Sequence, residues 1–437
     1  MTMASPQIVV VGAGIAGLTA AYLLQQAGAD VLLLECRPRP GGRMLTVDWE
    51  GFKVDPGAKF VTTSDKYLLE MVQQLGLEEQ IVRQGEGLTI TIYRNGAFHS
   101  ANFLSIPSYF GWSGVSLSAR LAMLKLVPHF LRYGRLKNVY HLEQAPGEEQ
   151  LTLEQFFYQR INAEMFEYWA NPMFETMCSY TGADISDKAF LAMMASYMNA
   201  DSVTFKDGIG VLPEAIALRL PVQYNTRVTA ITPYPDGSGV VLRLLQGEQT
   251  RQLEAQRVVV AVPGNHVLSL FDEAGLSPSW AAFFPQVAYS ISAMQYHICQ
   301  TDYQPDVPAS FVPRLENLPI NSVSFEQYKN GRWLLLTDPR VSEFDLSLSD
   351  EALVERAVSV ATQLYPALKD TFVAHRIFRW PEKVPTFRLG YLSALRQFWQ
   401  DPQEGPVYFC GDYFAGPSTG GALYSGKECA ERLLGAQ

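Results

Sequence analysis

Residues 8–43 read IVVVGAGIAGLTAAYLLQQAGADVLLLECRPRPGGR and decide the fold. An apolar strand runs into Gly12-x-Gly14-x-x-Gly17, and a helix-like segment then leads to a second apolar strand that ends at Glu35. This order predicts a βαβ unit that binds a dinucleotide. The glycines permit a tight turn, close approach of the backbone to a pyrophosphate and close helix packing, while Glu35 is placed to accept hydrogen bonds from a ribose.

Length, charge and cysteine content narrow the class of protein. The chain has 437 residues, of which 48% are hydrophobic, and this length predicts two domains. Its net charge of −10 argues against a nucleic-acid partner, which needs a basic surface. The five cysteines are scattered and form no CxxC pair. They predict a reducing compartment and argue against a disulfide framework or a metal site.

The sequence predicts a cytoplasmic location, and one segment leaves open a peripheral contact with a membrane. The first residues leave no room for a signal peptide, and no apolar run approaches the length of a membrane span. Residues 117–137 lie in a stretch without Asp or Glu and carry leucines at roughly helical spacing, although Pro128 breaks the pattern early. The segment is either an ordinary helical subdomain or a peripheral contact with anionic lipid. Its basic residues are Arg120, Lys125, Arg132, Arg135 and Lys137.

The order of elements predicts two interleaved domains. Nucleotide-type strands and helices occur at both ends of the chain and in its middle, whereas residues from about 105 to 199 are mainly helical. We therefore expect an α/β protein in which a Rossmann-like nucleotide-binding domain is interleaved with a substrate domain of mixed sheet plus helices. The first domain comprises residues 1–85, 205–286 and 396–437, and the second comprises residues 86–204 and 287–395.

The run from Glu35 to Arg43, Glu-x-Arg-x-Arg-x-Gly-Gly-Arg, resembles the second motif of the flavin amine oxidase superfamily. That superfamily includes monoamine and polyamine oxidases, protoporphyrinogen oxidases and phytoene desaturases. The resemblance extends from end to end of the chain. Further segments similar to family motifs are Asp55-x-Gly57-Ala58, Asn225-Thr226-x-Val228, Val259–Pro263, Gly411-Asp412 and Gly420-Gly421-Ala422-x-x-Ser425-Gly426.

The resemblance implies an FAD cofactor and assigns residues to its parts. Arg43 is expected near the phosphates, Val228 at the adenine, and Asp412 at the ribityl chain or pyrophosphate. Gly57 and Ala58 are expected close to the isoalloxazine, at which the helix beginning near Ala422 is also aimed. The full expected cofactor set is Gly12, Gly14, Ile15, Ala16, Gly17, Glu35, Cys36, Arg37, Gly42, Arg43, Gly57, Ala58, Val228, Gly411, Asp412, Gly421 and Ala422.

Departures from the family pattern bear on the substrate. Many amine oxidases carry a lysine beneath the flavin, and Ser292 occupies the similar place here. Residues 380–391 contain no cysteine, so the FAD is expected to be non-covalent. The missing lysine favours the protoporphyrinogen oxidase or carotenoid desaturase side, with an apolar, aromatic-rich substrate cavity, and the run Pro385-x-Phe387-x-x-Gly390 is also more similar to the porphyrinogen-type enzymes. Tyr391 and Tyr424 flank family motifs and join Ser292 as candidates to face the substrate, and no catalytic base is identified.

The leading interpretation is an FAD-dependent oxidoreductase that moves a hydride from an apolar cyclic or polyene substrate to flavin N5. The electron acceptor, oxygen or another molecule, stays open. Alternatives are an amine or amino-acid oxidase, a non-redox flavoenzyme such as a sugar mutase, and a non-catalytic escort of prenylated proteins on the same scaffold. Intact Glu35, Arg43 and Asp412 oppose the escort, because these groups have no evident role without FAD.

Overall fold

A computed structural model describes residues 6–83, 89–103, 105–136, 138, 140–197, 200–272, 277–340, 346–401 and 405–435. Lys137, one of the basic residues of the segment 117–137, lies outside the described residues. The strands, in chain order, are β1 (Ile8–Val11), β2 (Val31–Leu34), β3 (Val47–Trp49), β4 (Phe52–Val54), β5 (Val61–Thr62), β6 (Ile81–Arg83), β7 (Thr89–Arg94), β8 (Ala97–Asn102), β9 (Ser202–Phe205), β10 (Val222–Gln223), β11 (Arg227–Pro233), β12 (Val240–Gln246), β13 (Gln249–Ala255), β14 (Arg257–Val260), β15 (Ser292–Gln300), β16 (Ala309–Phe311), β17 (Ile320–Lys329), β18 (Arg332–Pro339), β19 (Phe372–Trp380) and β20 (Val407–Phe409).

The α-helices of the described residues are likewise numbered along the chain. They are α1 (Ile15–Gln26), α2 (Lys66–Gln74), α3 (Ile106–Phe110), α4 (Leu117–Ala122), α5 (Val127–Tyr133), α6 (Leu153–Arg160), α7 (Ala163–Met165), α8 (Asn171–Cys178), α9 (Asp187–Tyr197), α10 (Val211–Ala217), α11 (Pro278–Phe283), α12 (Asp350–Leu364), α13 (Tyr391–Gln400), α14 (Asp412–Ala415) and α15 (Thr419–Gly435). None of them is both long and apolar enough to cross a bilayer.

A five-stranded parallel sheet gathers strands from three distant parts of the chain. Its order is β10-β2-β1-β14-β20, and every pair in it is parallel. The strands are short, almost continuous apolar runs, as expected for a sheet covered on both faces. Helices α1 and α15 pack against each other beside it. This sheet confirms the predicted α/β class.

A seven-stranded sheet forms the second large layer. Its order is β19-β15-β18-β17-β16-β7-β8, and it is antiparallel except where β16 runs parallel to β7. Helix α8 lies on β16 and β17, and α12 packs on the sheet through Val360 and Ala361. Smaller sheets are β11-β12-β13, β3-β4 and β5-β9-β6. The predicted domain boundaries stay a prediction.

Two local expectations are corrected. The apolar pattern of residues 222–231 predicts a single strand, whereas the structure divides this stretch into β10 and β11, with Asn225 at φ +53° between them. Pro128 was expected to break the helical pattern early. Instead, α4, a 3₁₀ turn and α5 follow one another without interruption, and Pro128 is the second residue of α5. Proline is tolerated there because the first turn of a helix does not use its N–H groups.

Candidate active site

The turn between β1 and α1 leaves one glycine open to a ligand. Gly12 has φ +107°, and a Cβ on Gly17 would lie 2.0 Å from its carbonyl oxygen, so the packing of the βαβ unit itself requires both glycines. A Cβ on Gly14 would meet no protein atom within 4 Å. Gly14 is the N-cap of α1, so the N–H groups of Ile15 and Ala16 begin the helix beside this open position.

Glu35, directly after β2, turns its buried carboxylate back toward this turn. Its Oε2 accepts a hydrogen bond from the Ala13 N–H at 2.7 Å, and its Oε1 accepts one from the Arg37 N–H at 2.8 Å. The Cys36 thiol also donates to Oε1, and burial and the carboxylate together raise the pKa of that thiol. Each carboxylate oxygen has about two lone-pair sites, so Oε2 retains one for a ribose hydroxyl, while the second bond at Oε1 is the weak one from the thiol.

An ion pair joins the two ends of the chain. Arg43 Nη1 lies 2.7 Å from Asp412 Oδ2, and Nη2 lies 3.1 Å from Oδ1, which is a bidentate arrangement. The Tyr289 hydroxyl donates to Asp412 Oδ1 at 3.3 Å and accepts from the Gly264 N–H at 3.1 Å. Although burial opposes the guanidinium charge, Asp412 raises the pKa of Arg43. Tyr289 was missed by sequence reasoning, because it lies far along the chain from both motifs.

The segment after Arg43 brings Gly57 and Ala58 beside a tryptophan. The Ala58 N–H donates to the Arg43 carbonyl oxygen at 3.0 Å, and a Cβ on Gly57 would lie 2.0 Å from that oxygen. The same Cβ would lie 3.4 Å from Trp380 Cζ2, and Trp380 Nε1 donates to the Pro56 carbonyl oxygen at 2.8 Å. Two residues expected near the isoalloxazine therefore share one location with Arg43.

The start of α15 is tied to the end of β20. The Gly411 N–H donates to Ser425 Oγ at 3.0 Å, which holds α15 against the loop that carries Asp412. A Cβ on Gly421 would lie 2.6 Å from a backbone oxygen of α14, so this glycine is explained by protein packing. Ala422 follows it in the first turn of α15 and is buried.

Two further residues of the expected set lie around the same turn. A Cβ on Gly42 would lie 3.4 Å from Gly14 Cα, so the second motif packs on the first. Val228 is buried near the start of β11. The Thr226 N–H donates to the Glu35 carbonyl oxygen at 2.9 Å, which ties that strand to the end of β2.

Ser292 begins β15 opposite Trp380 of β19. Residues directly opposite in an antiparallel pair project from the same face, so the seven-stranded sheet presents Ser292 on the face that carries Trp380. The Ser292 hydroxyl is buried and has no hydrogen-bond partner among the described residues. A buried hydroxyl without a partner marks a position where a ligand or water completes the hydrogen bonding.

A buried carboxylate on this sheet was missed by sequence reasoning. Asp338 of β18 is almost completely buried, and neither carboxylate oxygen has a hydrogen-bond partner of good geometry among the described residues. Burial raises the pKa of Asp338, while the charge of Lys383, a side-chain contact from Asn321 and the charge of Lys59 oppose the rise. Lys383 Nζ donates to Ser179 Oγ at 2.7 Å, and Lys59 pairs with Glu326 at 2.6 Å. The alternating strand pattern contained no signal for this charge.

Tyr391 is a core residue in this structure. It is 2% exposed, its hydroxyl donates to the Tyr413 carbonyl oxygen at 2.8 Å, and its ring contacts Phe283 and Phe387. The aromatic side chains expected to line a substrate cavity are also largely core. Those buried in the main apolar cluster are Trp112, Phe156, Phe157, Tyr168, Trp169, Phe174 and Tyr180.

Tyr424 faces a polar and aromatic cluster beside α2. Its ring stacks on Tyr140 with centroids 4.6 Å apart, and its hydroxyl accepts from Asn138 Nδ2 at 2.5 Å. His141 lies edge-on to the same ring. The ring thus contacts Tyr67, Tyr140 and His141, and we find no contact between it and Trp380 among the described residues.

Protonated His141 is expected to stabilise the folded protein at acidic and neutral pH, and this stabilisation is expected to be lost at alkaline pH. Its two ring nitrogens lie 3.0 Å from Glu143 and 3.1 Å from Glu428, and these contacts raise its pKa to about 10. The unfolded pKa is about 6.5, so the stabilisation is complete below that pH and disappears as the pH rises toward 10. We expect His141→Gln to lower the free energy of unfolding by about 1–2 kcal/mol at pH 6. Melting curves at pH 6 and pH 10 check this, and an equal loss at both pH values contradicts it.

The sequence profile of the family described as "Flavin containing amine oxidoreductase" matches residues 15–434. The chain belongs to this family. This flavin amine oxidoreductase therefore has a flavin site and is an enzyme, which confirms the prediction of an oxidoreductase and the resemblance drawn from the motifs.

Relatives of this flavin amine oxidoreductase include porphyrinogen and amine oxidases. It is 26% identical over 197 residues to coproporphyrinogen III oxidase of Staphylococcus aureus, a match covering 44% of this chain and 39% of that enzyme. It is 22% identical to the chloroplastic protoporphyrinogen oxidase of Nicotiana tabacum, over 98% of this chain and 85% of that enzyme. It is 42% identical over 82 residues to amine oxidase B of Bos taurus, which is 18% of this chain and 16% of that enzyme.

Solved structures share the fold. A putative protoporphyrinogen oxidase from Exiguobacterium sp. 255-15 aligns over 100% of both chains with a TM-score of 0.77 and 18% identity. A putrescine oxidase triple mutant aligns over 99% of both chains, also with a TM-score of 0.77 and 18% identity. Because porphyrinogen-type and amine-type enzymes share this fold equally, the fold alone does not choose between their substrates.

Proposed function

We propose that this flavin amine oxidoreductase binds FAD non-covalently and oxidises a C–H bond of an apolar cyclic or polyene substrate. The observation that carries the proposal is the Arg43–Asp412 pair, which links both ends of the chain beside the open turn at Gly14. FAD, when bound, supplies the hydride acceptor. The donor set fits this cofactor, because an unfilled glycine position, a helix N-terminus and a buried carboxylate meet around one space.

Each part of the proposed FAD site has a chemical reason. The N–H groups at the start of α1 suit the pyrophosphate, and the Glu35 oxygens suit the ribose hydroxyls. Asp412 is expected to accept from the ribityl chain or to lie at the pyrophosphate, with its charge balanced by Arg43. We place the attachment as non-covalent because residues 380–391 include no cysteine.

Two observations support an apolar cyclic or polyene substrate. Ser292 holds an uncharged hydroxyl where the resemblance to amine oxidases expects a lysine. The relative aligned along 98% of the chain is a protoporphyrinogen oxidase, whereas the amine oxidase match covers 18% of it. Trp380 and Ser292 lie on one face of the seven-stranded sheet and border the position where the substrate is expected. The side chains of this face exclude water from the bond that reacts.

Oxidation of an amine is the second candidate, and Asp338 favours it. A buried carboxylate without a well-formed hydrogen bond is costly unless a cation or a donor completes it. An ammonium group on the substrate would supply both a positive charge and hydrogen-bond donors for the carboxylate. Lys383 and Lys59 reduce this preference, because they already place positive charge near the carboxylate.

A substrate panel tested without oxygen separates the two candidates. Reduction of the bound flavin bleaches its visible band, so porphyrinogens, polyenes and amines are each mixed with the purified enzyme. We expect a porphyrinogen or polyene to bleach the band. Bleaching by amines alone overturns the proposed substrate class.

Asp338→Asn adds a second readout to the same panel. For an uncharged substrate we expect kcat/KM to stay within roughly threefold, whereas an amine substrate is expected to lose roughly 100-fold through a higher KM. Asp302→Asn, which changes an exposed aspartate, is the matched control. A large loss for both variants would indicate misfolding, which the melting curve reports independently.

A further inference from the structure

An exposed apolar ridge runs along α3, α4 and α5. Sixteen large apolar side chains are exposed in the part of the chain that the structure describes, and seven of them fall between residues 106 and 131. Soluble proteins seldom concentrate exposed apolar side chains in this way without a partner surface. The ridge consists of Ile106, Phe110, Leu117, Leu121, Leu124, Val127 and Leu131.

From Leu117 to Leu131 the ridge is one face of a continuous helical run. The exposed leucines recur at intervals of three, four and seven residues, at Leu117, Leu121, Leu124 and Leu131. The face that packs on the protein repeats with the same period and is made of Ala119, Ala122, Leu126 and Tyr133. The helix therefore already has a buried apolar face, and its leucines form a second apolar face that the protein itself does not cover.

Positive charge borders the ridge. No Asp or Glu occurs between Ala101 and Leu142, although the whole chain carries a net charge of −10. Arg120 lies to one side of the leucine face, while Lys125 and Arg132 lie to the other, by their positions on the helix.

A neighbouring carboxylate does not cancel this charge. Glu164 accepts from the Ser116 N–H at 3.2 Å, at the start of α4. The same carboxylate pairs with Arg94 at 2.8 Å, so its charge is already balanced.

We propose that the apolar ridge docks on an anionic membrane surface. A helix with an apolar face bordered by cations lies in the interface, with its apolar side chains among the lipid chains and its cations at the headgroups. The charge pattern favours this partner over a second copy of the chain. In a two-fold dimer the same patch of both copies forms the interface, so the cations that border the ridge, Arg120, Lys125 and Arg132, would meet the cations of the second copy.

Vesicle sedimentation of the flavin-loaded enzyme tests the proposal. We expect binding to vesicles of phosphatidylcholine with phosphatidylglycerol and little binding to phosphatidylcholine alone, with weaker binding as salt rises. Leu121→Gln combined with Leu124→Gln is expected to lower the partition coefficient roughly tenfold or more. Leu218→Gln, which changes a leucine that directly follows α10 and is 87% exposed, is the control and is expected to bind as the wild type does.

Several outcomes overturn the proposal. Equal binding to both vesicle types, equal loss in the Leu218 variant, or no binding removes the anionic membrane as the partner. Light scattering tests the alternative partner. If the wild type is a dimer and the double variant Leu121→Gln, Leu124→Gln is a monomer, the ridge binds a second copy of the chain instead. The visible flavin band and the melting temperature of each variant show that the fold is retained, since all three leucines are exposed.

Discussion

Asp412→Asn is expected to leave the purified enzyme with little flavin. The substitution removes the carboxylate that receives both Arg43 Nη atoms and the Tyr289 hydroxyl. Asparagine does not supply the anionic acceptor proposed for the cofactor, and a hydrogen bond to a charged group contributes about 1.5–3 kcal/mol. We therefore expect the FAD dissociation constant to rise roughly 10- to 100-fold. The ratio of visible to ultraviolet absorbance after gel filtration, and titration of the apoprotein with FAD, measure this effect.

Two companion variants sharpen this prediction. Arg43→Lys is expected to lose flavin as well, since a lysine ammonium does not reproduce the bidentate contact with Asp412. Asp48→Asn is the control, because it breaks the exposed pair with Lys53 and lies away from the proposed FAD site. Full flavin content in Asp412→Asn would show that the pair is not part of the cofactor site.

The parts of the site that sequence predicted are those fixed by local spacing. The glycine turn, Glu35 and Arg43 lie within one 36-residue stretch, and their geometry follows from a strand, a turn and a helix in order. Asp412 was also predicted, since a strand followed by Gly-Asp resembles a family motif. The pairing of Asp412 with Arg43 was not predicted, because the two residues are 369 positions apart in the chain.

The remaining site residues depend on which face a side chain occupies. Asp338 lies in an apolar strand pattern, and only the register of β18 with its neighbours places its carboxylate in the interior. Tyr391 and Tyr424 flank family motifs, but proximity in sequence does not determine orientation. The Tyr391 hydroxyl donates to a backbone oxygen in the core, and the Tyr424 hydroxyl accepts from Asn138 Nδ2.

For the ridge, too, the sequence predicts the helix but not which of its faces is buried. The leucine spacing of residues 117–131 was visible in the sequence, and it predicts an amphipathic helix. That spacing does not say whether the leucines or the opposite face is buried. The alanines at positions 119 and 122 face inward because they allow close packing, and this leaves the leucines outside.

Gly14→Ala and Gly17→Ala are expected to separate cofactor binding from folding. A Cβ on Gly17 would lie 2.0 Å from the Gly12 oxygen, so the backbone must shift, and we expect a loss of about 2–3 kcal/mol or more in stability. A Cβ on Gly14 meets no protein atom within 4 Å, and its φ of −68° suits alanine. The stability of Gly14→Ala is expected to change by less than about 1 kcal/mol.

Both variants are nevertheless expected to lose FAD, for different reasons. In Gly17→Ala the cause is the shift of the backbone that the added Cβ forces. In Gly14→Ala the added methyl group occupies the position proposed for the pyrophosphate, so we expect roughly 100-fold weaker FAD binding with an unchanged fold. Melting curves are compared on the apoproteins, because bound FAD would itself stabilise the wild type. If Gly14→Ala retains FAD at wild-type affinity, the open position beside α1 is not where the phosphates bind. If it melts as low as Gly17→Ala, the position is structural, and the distinction between the two glycines fails.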